Sequence, residues 1–162
     1  MAPDFRKVLA FEPVTEHLEC LKLNTAQFDN VRVRPVALGA QKGPAKLHVI
    51  GKNSGASYID KSGAEKPHRK TIQTLNVQVA KLDDFDDLDE MAFLKIDVQG
   101  FEADVLLGGK RTIKALKPVI LIEQTGLNTN GARDGNLDAL SILKGWGMKK
   151  AESWAGDHVM IW

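Results

Sequence analysis

The sequence predicts an α/β fold with a mostly parallel sheet, and three short segments carry that prediction. Each is four or five residues long, is mostly apolar and closes on a carboxylate; they cover residues 8–12, 93–97 and 119–123 and end in Glu12, Asp97 and Glu123. Apolar runs of this length are typical of strands buried on both faces of a parallel sheet. Segments with helical features separate them, and strands that alternate with helices imply right-handed crossovers. The three acids are therefore expected to line one edge of the sheet.

Composition and charge exclude several classes of protein. A chain of 162 residues with 43% hydrophobic and 27% charged residues is predicted to form one globular domain, residues 1–162. Lysine and arginine total 22 against 21 acidic residues, so the overall charge does not indicate a nucleic acid or an anionic membrane as partner. No apolar run approaches the ~20 residues that span a bilayer, and no signal peptide is recognisable. Cys20 is the single cysteine, which favours a reducing compartment, and we expect a cytoplasmic protein.

After the strand that ends in Glu12, the first half of the chain is predicted to contain a helix, three strands and a long loop. Thr15 is expected to cap a helix that runs to about residue 25. Residues 31–38 alternate as a strand, in which Pro35 predicts either an edge strand or a strand end. A brief strand is predicted at 47–50 and a half-buried strand at 74–82. The basic loop over 51–70 between them could face an anionic substrate, but solvated surface is the better interpretation. The acidic segment 83–90 lacks the spaced ligands of a calcium loop, so a solvated linker is the better interpretation.

The second half centres on the strand that ends in Asp97. Gly100 predicts a tight turn after it, and residues 101–107 and 110–117 are predicted helices, with Pro118 ending the second. A polar loop is expected at 128–135, and Asn136 can cap a helix that runs to about residue 144. Residues 148–154 and 158–162 are predicted as two final strands joined by a turn.

Carboxylates at strand ends have recognised uses. An acid that ends an early strand can accept both hydroxyls of a ribose, which suits Glu12, although a helix-capping or surface acid is the simpler alternative. Asp97 and Glu123 are better placed to bind a substrate hydroxyl or to take its proton. Open parallel sheets bind ligands at the carboxyl ends of their strands. The pattern alone therefore indicates a small-molecule site at this edge.

An ordered set of short motifs resembles the FkbM-type S-adenosylmethionine-dependent methyltransferases. They are Ala-Phe-Glu-Pro at 10–13, Ala-Leu-Gly at 37–39, Lys-Leu-Asp at 81–83, Leu-Lys-Ile-Asp-Val-Gln-Gly-Phe-Glu at 94–102 and Lys-Pro at 117–118. Their order and approximate spacing match the family from about residue 7 to residue 123. The family usually has glutamate where this chain has Gln99.

The resemblance implies a Rossmann-like class I methyltransferase sheet, mostly parallel with an antiparallel strand at its C-terminal end. It also implies S-adenosylmethionine as cofactor and methyl transfer to a hydroxyl oxygen of a sugar or another small metabolite. Glu12, with Pro13, would hold the cofactor ribose, and Ala37 and Leu38 would border the adenine. Asp97 would lie where methyl donor and acceptor meet, with Asp97 and Glu123 as the catalytic acids. No metal, nucleic acid or membrane is implied as partner, and an assembly of identical chains is left open.

One part of the family pattern has no counterpart before Glu12. The family has a strand and a glycine-rich turn upstream of the ribose-binding acid, and that strand lies between those ending here in Glu12 and Asp97. The resemblance therefore implies a sheet that lacks its first strand–helix unit. Three explanations follow: a fragment of a longer protein, a shortened form in which the two strands pair directly, or a partner that supplies the strand. The alternatives in function are a non-catalytic remnant that acts as a binding module, and another nucleotide-binding enzyme that uses Glu12 for a ribose.

Overall fold

A computed structural model describes residues 4–50, 57–59, 71–124 and 139–162, and every structural statement below concerns those residues. They form an α/β fold whose strands belong to three separate sheets. Four of the seven strand pairings are antiparallel, so the sheets are mixed and the predicted parallel majority is wrong for this part of the chain. No helix within the described ranges is long and apolar enough to cross a membrane.

The first sheet is a parallel pair joined by a helix. Strand β1 (Val8–Phe11) pairs with β2 (Val31–Arg34), and α1 (Thr15–Thr25) forms the crossover between them. The predicted bounds of α1 are confirmed, but its N-cap is Val14 rather than Thr15. Of the two roles predicted for Pro35, the strand end is confirmed: β2 ends at Arg34 and the chain enters another sheet at Ala37, so residues 31–38 do not form one continuous strand. Pro35 explains the break, since it has no N–H for a ladder and restricts the residue before it.

The second sheet is built around one long antiparallel pair. Strands β4 (Gly43–Ile50) and β6 (Thr71–Ala80) pair over most of their lengths and are longer than the sequence indicated. The two-residue strands β3 (Ala37–Leu38) and β5 (Tyr58–Ile59) complete the order β3-β6-β4-β5. β5 lies within the predicted loop 51–70, so that loop contains a strand; residues 51–56 and 60–70 lie outside the described residues.

The third sheet holds the two remaining strand-end acids. Strands β7 (Phe93–Ile96) and β8 (Val119–Glu123) are parallel, and the hairpin of β9 (Lys149–Trp154) and β10 (Asp157–Ile161) adds antiparallel to β8 in the order β7-β8-β10-β9. The two predicted final strands are thereby confirmed. β9 forms the outer edge, and all six of its residues are exposed.

Three short helices cover the third sheet. They are α2 (Glu102–Gly108), α3 (Lys110–Leu116) and α4 (Ala139–Gly145). The first two match their predictions within a residue; Lys117 then adopts a left-handed conformation with φ 50° before Pro118, as helix ends commonly do. The predicted loop 128–135 and the predicted cap Asn136 lie outside the described residues. The main core joins these helices to β7, β8 and β10 through buried apolar side chains that include Ile96, Leu106, Ile113, Ile120, Leu143 and Met160.

The backbones of α2 and the segment after β3 approach very closely. A Cβ placed on Gly108 would lie 1.9 Å from the carbonyl oxygen of Gly39. No side chain fits there without backbone movement, so Gly108 fixes how α2 packs against the second sheet.

The acidic segment 83–90 has structural partners, which corrects its interpretation as a solvated linker. The carboxylate of Asp83 accepts from the backbone N–H groups of Arg111 (3.1 Å) and Thr112 (2.9 Å), at the first turn of α3. Asp87 lies 2.9 Å from Arg34 Nη2 and 3.4 Å from Lys7 Nζ. These contacts join the segment to α3 and to the first sheet. They were not predictable from local sequence, because each partner lies at least 28 residues away along the chain.

Candidate active site

A cavity of about 710 Å³ lies between the first and third sheets. β1 with the residues through Val14 forms one wall, and β7 with the residues through Gln99 forms the opposite wall. Apolar residues of the second sheet and of α2 complete the lining, including Leu38, Leu47 and Val105. Cavities of this size and composition suit a small molecule.

Glu12 lies on this cavity, directly after β1. Its backbone N–H donates to the carbonyl oxygen of Arg34 (3.1 Å), which extends the β1–β2 pairing and fixes the side chain at the strand end. The Oε1 atom accepts from the N–H of Val14 (2.8 Å) and lies 3.7 Å from His17 Nδ1. The carboxylate is half-buried, so one oxygen supports the start of α1 while the group still borders the cavity.

Asp97 lies on the opposite wall, directly after β7. Lys95 Nζ contacts its Oδ2 at 2.8 Å, and Gln99 Nε2 lies 3.4 Å from its Oδ1. Burial works to raise the pKa of Asp97, but the hydrogen bonds from Glu123, Lys95 and Gln99 outweigh it and hold the pKa below its usual range. Asp97 is therefore a carboxylate at neutral pH.

The turn after Asp97 uses two left-handed residues. Gln99 has φ 51° and Gly100 has φ 96°, and together they redirect the chain from β7 into α2. The buried carboxylate of Glu102 accepts from the Gly100 N–H at 2.8 Å. A left-handed backbone is uncommon for a residue with a side chain. Here it brings the Gln99 amide between the acids of two neighbouring strands.

Glu123 ends β8 and contacts Asp97 rather than the cavity. Gln99 Nε2 donates to Glu123 Oε2 at 2.9 Å. A hydrogen bond with Asp97, burial and the charges of Asp97, Asp157 and Glu102 raise the pKa of Glu123 to about 7. The pKa of Asp97 is lowered while that of Glu123 is raised, so the proton that the pair shares below about pH 7 lies on Glu123. Such a pair can accept a proton near neutral pH.

The structure brings most of the predicted site residues together. Glu12, Pro13, Ala37, Leu38 and Asp97 all line the cavity, and Glu123 reaches it through Asp97. The expectation that all three acids lie on one sheet edge is wrong, since β1 and the β7–β8 pair belong to different sheets. Among the described residues, no three His, Cys, Asp or Glu side chains are placed to hold a metal ion together.

Two residues of the site were missed by the sequence analysis. Lys95 lies two residues before Asp97, and the twofold period of a strand places both side chains on one face, which is a signal that could have been used. Gln99 was noted only as a departure from the family pattern. Its contact with Glu123 spans 24 residues, so no local pattern indicates it.

Comparisons with known proteins indicate which family this chain resembles. A family model described as the methyltransferase FkbM domain matches residues 5–150. The 2-O-methyltransferase NoeI of Sinorhizobium fredii is 28% identical over 119 residues, which cover 66% of this chain and 49% of that protein. The crystal structure of methyltransferase FkbM from Methylobacillus flagellatus superimposes with a TM-score of 0.56 at 18% identity, over 96% of this chain and 36% of that one. The chain thus spans about half the length of the curated relative and about a third of the solved structure.

Proposed function

The chain belongs to the methyltransferase FkbM domain family, and on that premise we propose that it transfers a methyl group from S-adenosylmethionine to a hydroxyl oxygen of a small molecule, with sugars as the first class to test. The observation that carries the proposal is that Glu12 and Asp97 line the same cavity, while Glu123 forms a hydrogen bond with Asp97. The name of the 2-O-methyltransferase relative supports oxygen as the acceptor atom.

The residues on the first wall fit the ribose of the cofactor. Glu12 presents a half-buried carboxylate, which can accept hydrogen bonds from two neighbouring hydroxyls. Pro13 fixes the chain beside it, and Ala37 and Leu38 offer an apolar surface for the adenine. S-adenosylmethionine, when bound, supplies an electrophilic methyl group on sulfur. We further propose that the three sheets together form the Rossmann-like arrangement of class I methyltransferases.

The Asp97–Glu123 pair is suited to the acceptor end. The hydroxyl oxygen gains the methyl group while its O–H proton passes to the carboxylate pair, which leaves the thioether of S-adenosylhomocysteine as the second product. A group with a pKa of about 7 is half ionised at neutral pH, which suits a base under those conditions. Lys95 and Gln99 hold the two carboxyls in place, and positioning supplies most of the acceleration in a transfer of this type.

The domain organisation, compartment and partners are part of the same proposal. We propose a single domain over residues 1–162 that acts in the cytoplasm on a small-molecule acceptor, without a nucleic acid or a membrane. Association into a homo-oligomer is compatible with this function.

Calorimetric titration with S-adenosylhomocysteine tests the ribose site. We expect Glu12→Ala to weaken binding by about 1–3 kcal/mol, because charged hydrogen bonds are lost. Glu16→Ala is the matched control, since Glu16 is exposed on α1 and does not line the cavity. A folded wild-type chain that takes up no S-adenosylhomocysteine at millimolar concentration would contradict the proposal and favour the non-catalytic binding module.

Turnover of the methyl donor with a panel of sugars tests the acceptor end. Asp97→Asn should leave the fold intact, because the amide is nearly the same size, and should slow turnover by about 10²–10⁴-fold. Unchanged turnover would remove Asp97 from the mechanism.

A further inference from the structure

The two acids of the acceptor end belong to a row of side chains that crosses the third sheet. The parallel register of β7 and β8 places Asp97 and Glu123 at the same level, and the hydrogen bond between them agrees with it. On the other side of β8, Glu123 lies opposite Asp157, and Asp157 lies opposite Trp154 of β9. Residues directly opposite each other on neighbouring strands project from the same face of a sheet. We call these four residues the cross-strand row.

The cross-strand row projects from the face of the third sheet that is opposite the helices. Ile122 and Met160 belong to the main core, which joins this sheet to the helices. Side chains alternate between the two faces along a strand, so Glu123 and Asp157 point to the other face. The negative charge of Asp157 contributes to the raised pKa of Glu123, as expected of neighbours on one face. The row therefore extends the site from Asp97 toward the outer edge of the sheet.

Trp154, at the outer end of the row, is exposed but held in a defined place. The side chain is 49% exposed. The two residues after it, Ala155 and Gly156, have φ 46° and 98°, and left-handed residues at both positions are typical of the tightest β-hairpin turns. The backbone N–H of Gln124 donates to the carbonyl oxygen of Gly156 at 2.7 Å, which joins this turn to the end of β8 beside Glu123. The backbone thus fixes the position of Trp154 relative to the two acids.

The spacing of the strands gives the length of the row. Neighbouring strands lie about 4.8 Å apart, so Trp154 is about 10 Å from Glu123 and about 14 Å from Asp97 across the sheet. A single sugar ring with a hydroxyl at Asp97 does not reach the indole over that distance. A second ring, linked to the first and lying along the row, does reach it.

The side chains of the row offer two kinds of contact. Carboxylates accept hydrogen bonds from hydroxyls, and an exposed indole offers a flat apolar surface on which the C–H groups of a sugar ring can pack. A cation would also be attracted to an indole and to carboxylates. However, Lys95 Nζ already contacts Asp97 at 2.8 Å, and Glu123 carries a proton below about pH 7. A neutral ligand that carries hydroxyls on an apolar ring therefore fits the row better than a cation.

We propose that the acceptor is an oligosaccharide of at least two sugar rings, which lies along the cross-strand row. The ring that receives the methyl group lies at Asp97 and Glu123, Asp157 accepts a hydrogen bond from a hydroxyl, and the next ring stacks on Trp154. The position of the methylated ring rests on the proposed function. The contact with Trp154 requires no cofactor and can be measured without methyl transfer.

NMR titration of the full chain with neutral sugars measures this contact. The probes are two series of increasing length, glucose with cellobiose and cellotriose, and N-acetylglucosamine with chitobiose and chitotriose. The indole N–H signal of Trp154, assigned by its loss in Trp154→Phe, reports binding. In at least one series, the disaccharide should bind about 10-fold more tightly than the monosaccharide, which is the size of one aromatic contact.

Substitutions at the outer end of the row separate stacking from other effects. Trp154→Ala should weaken binding of that disaccharide about 10-fold and leave binding of the monosaccharide unchanged, with binding followed on the backbone amides. Trp154→Phe keeps an aromatic ring and should lose less than about 3-fold. Ser153→Ala is the matched control and should bind as the wild type does, because Ser153 is exposed on the same strand but lies opposite His158, on the other face.

The same titrations contain the results that would overturn the proposal. Equal affinities for monosaccharides and longer sugars in both series would do so, as would a disaccharide affinity that Trp154→Ala leaves unchanged. Choline is the cationic probe, and a Trp154 signal that responds to choline at lower concentration than to every sugar would also overturn it, in favour of a cation site. Length-dependent sugar binding by a chain that takes up no S-adenosylhomocysteine would support the Trp154 contact and contradict methyl transfer alone.

Discussion

Replacing Glu123 by glutamine should change how the stability of the fold depends on pH. The pKa of Glu123 is raised from its ordinary value of 4.5 to about 7, so the folded chain holds a proton there that the unfolded chain has released. Stability therefore falls as the pH rises from about 4.5 to about 7. Asp97 acts in the opposite sense, since its lowered pKa contributes stability that is lost only as the pH falls below about 4.

The size of the effect follows from the difference in pKa. About 2.5 pH units correspond to a ceiling of about 3.4 kcal/mol. Glu123 is only partly buried, and solvent screens its interactions, so we expect about 1–2 kcal/mol. Glutamine resembles the protonated acid at every pH. Glu123→Gln should therefore gain stability relative to the wild type as the pH rises, and most of that difference should appear between pH 5 and pH 8.

Urea denaturation at pH 5 and pH 8 measures this difference. Comparing variant with wild type at each pH cancels the contributions of the four histidines, which the two proteins share. Glu152→Gln on the exposed strand β9 is the control and should follow the wild type at both values. A wild-type stability that does not fall between pH 5 and pH 8 relative to Glu123→Gln would refute the shared-proton interpretation.

Two further substitutions test how the chain is held together. Asp83→Ala removes both bonds to the first turn of α3 and should cost about 1–2 kcal/mol in urea denaturation, while the exposed neighbour Asp84 is the control and should tolerate alanine. Equal losses in the two variants would contradict the capping role. Gly108→Ala places a methyl group against the Gly39 carbonyl and should lower stability by about 3 kcal/mol or prevent folding. Gly145→Ala meets nothing within 4 Å and should be neutral or stabilising by up to about 1 kcal/mol, and a tolerant Gly108 would show that α2 can shift away from the second sheet.

The local sequence predicted the strands that carry the acids. A short apolar run closed by a carboxylate marked β1, β7 and β8 to within one residue, because that pattern reflects burial on both faces. The helix after Pro13 and the two helices around Gly109 were predicted from helix breakers and apolar periodicity, although Thr15 is not the N-cap of the first. These features depend on neighbours within about one turn or one strand.

The arrangement of the strands could not be predicted in the same way. Whether β1 lies beside β2 alone or also beside β7 depends on contacts between residues more than 80 positions apart. The pattern of neighbouring residues gives no information about such contacts. Gln99 illustrates the same limit at the site. Its role depends on a left-handed backbone and on an acid from the next strand, and neither is marked by the residues around it.

The polar outer strand β9 has a consequence for how this molecule meets others. The lysines and the glutamate of this exposed edge strand disfavour pairing with the edge strand of another molecule. Many proteins avoid fibrous aggregation in this way. Growth of the third sheet by addition of another strand to β9 is thus disfavoured. At high concentration, molecules of this protein should therefore not associate through β9. A variant without the charges of Lys149, Lys150 and Glu152 should precipitate more readily.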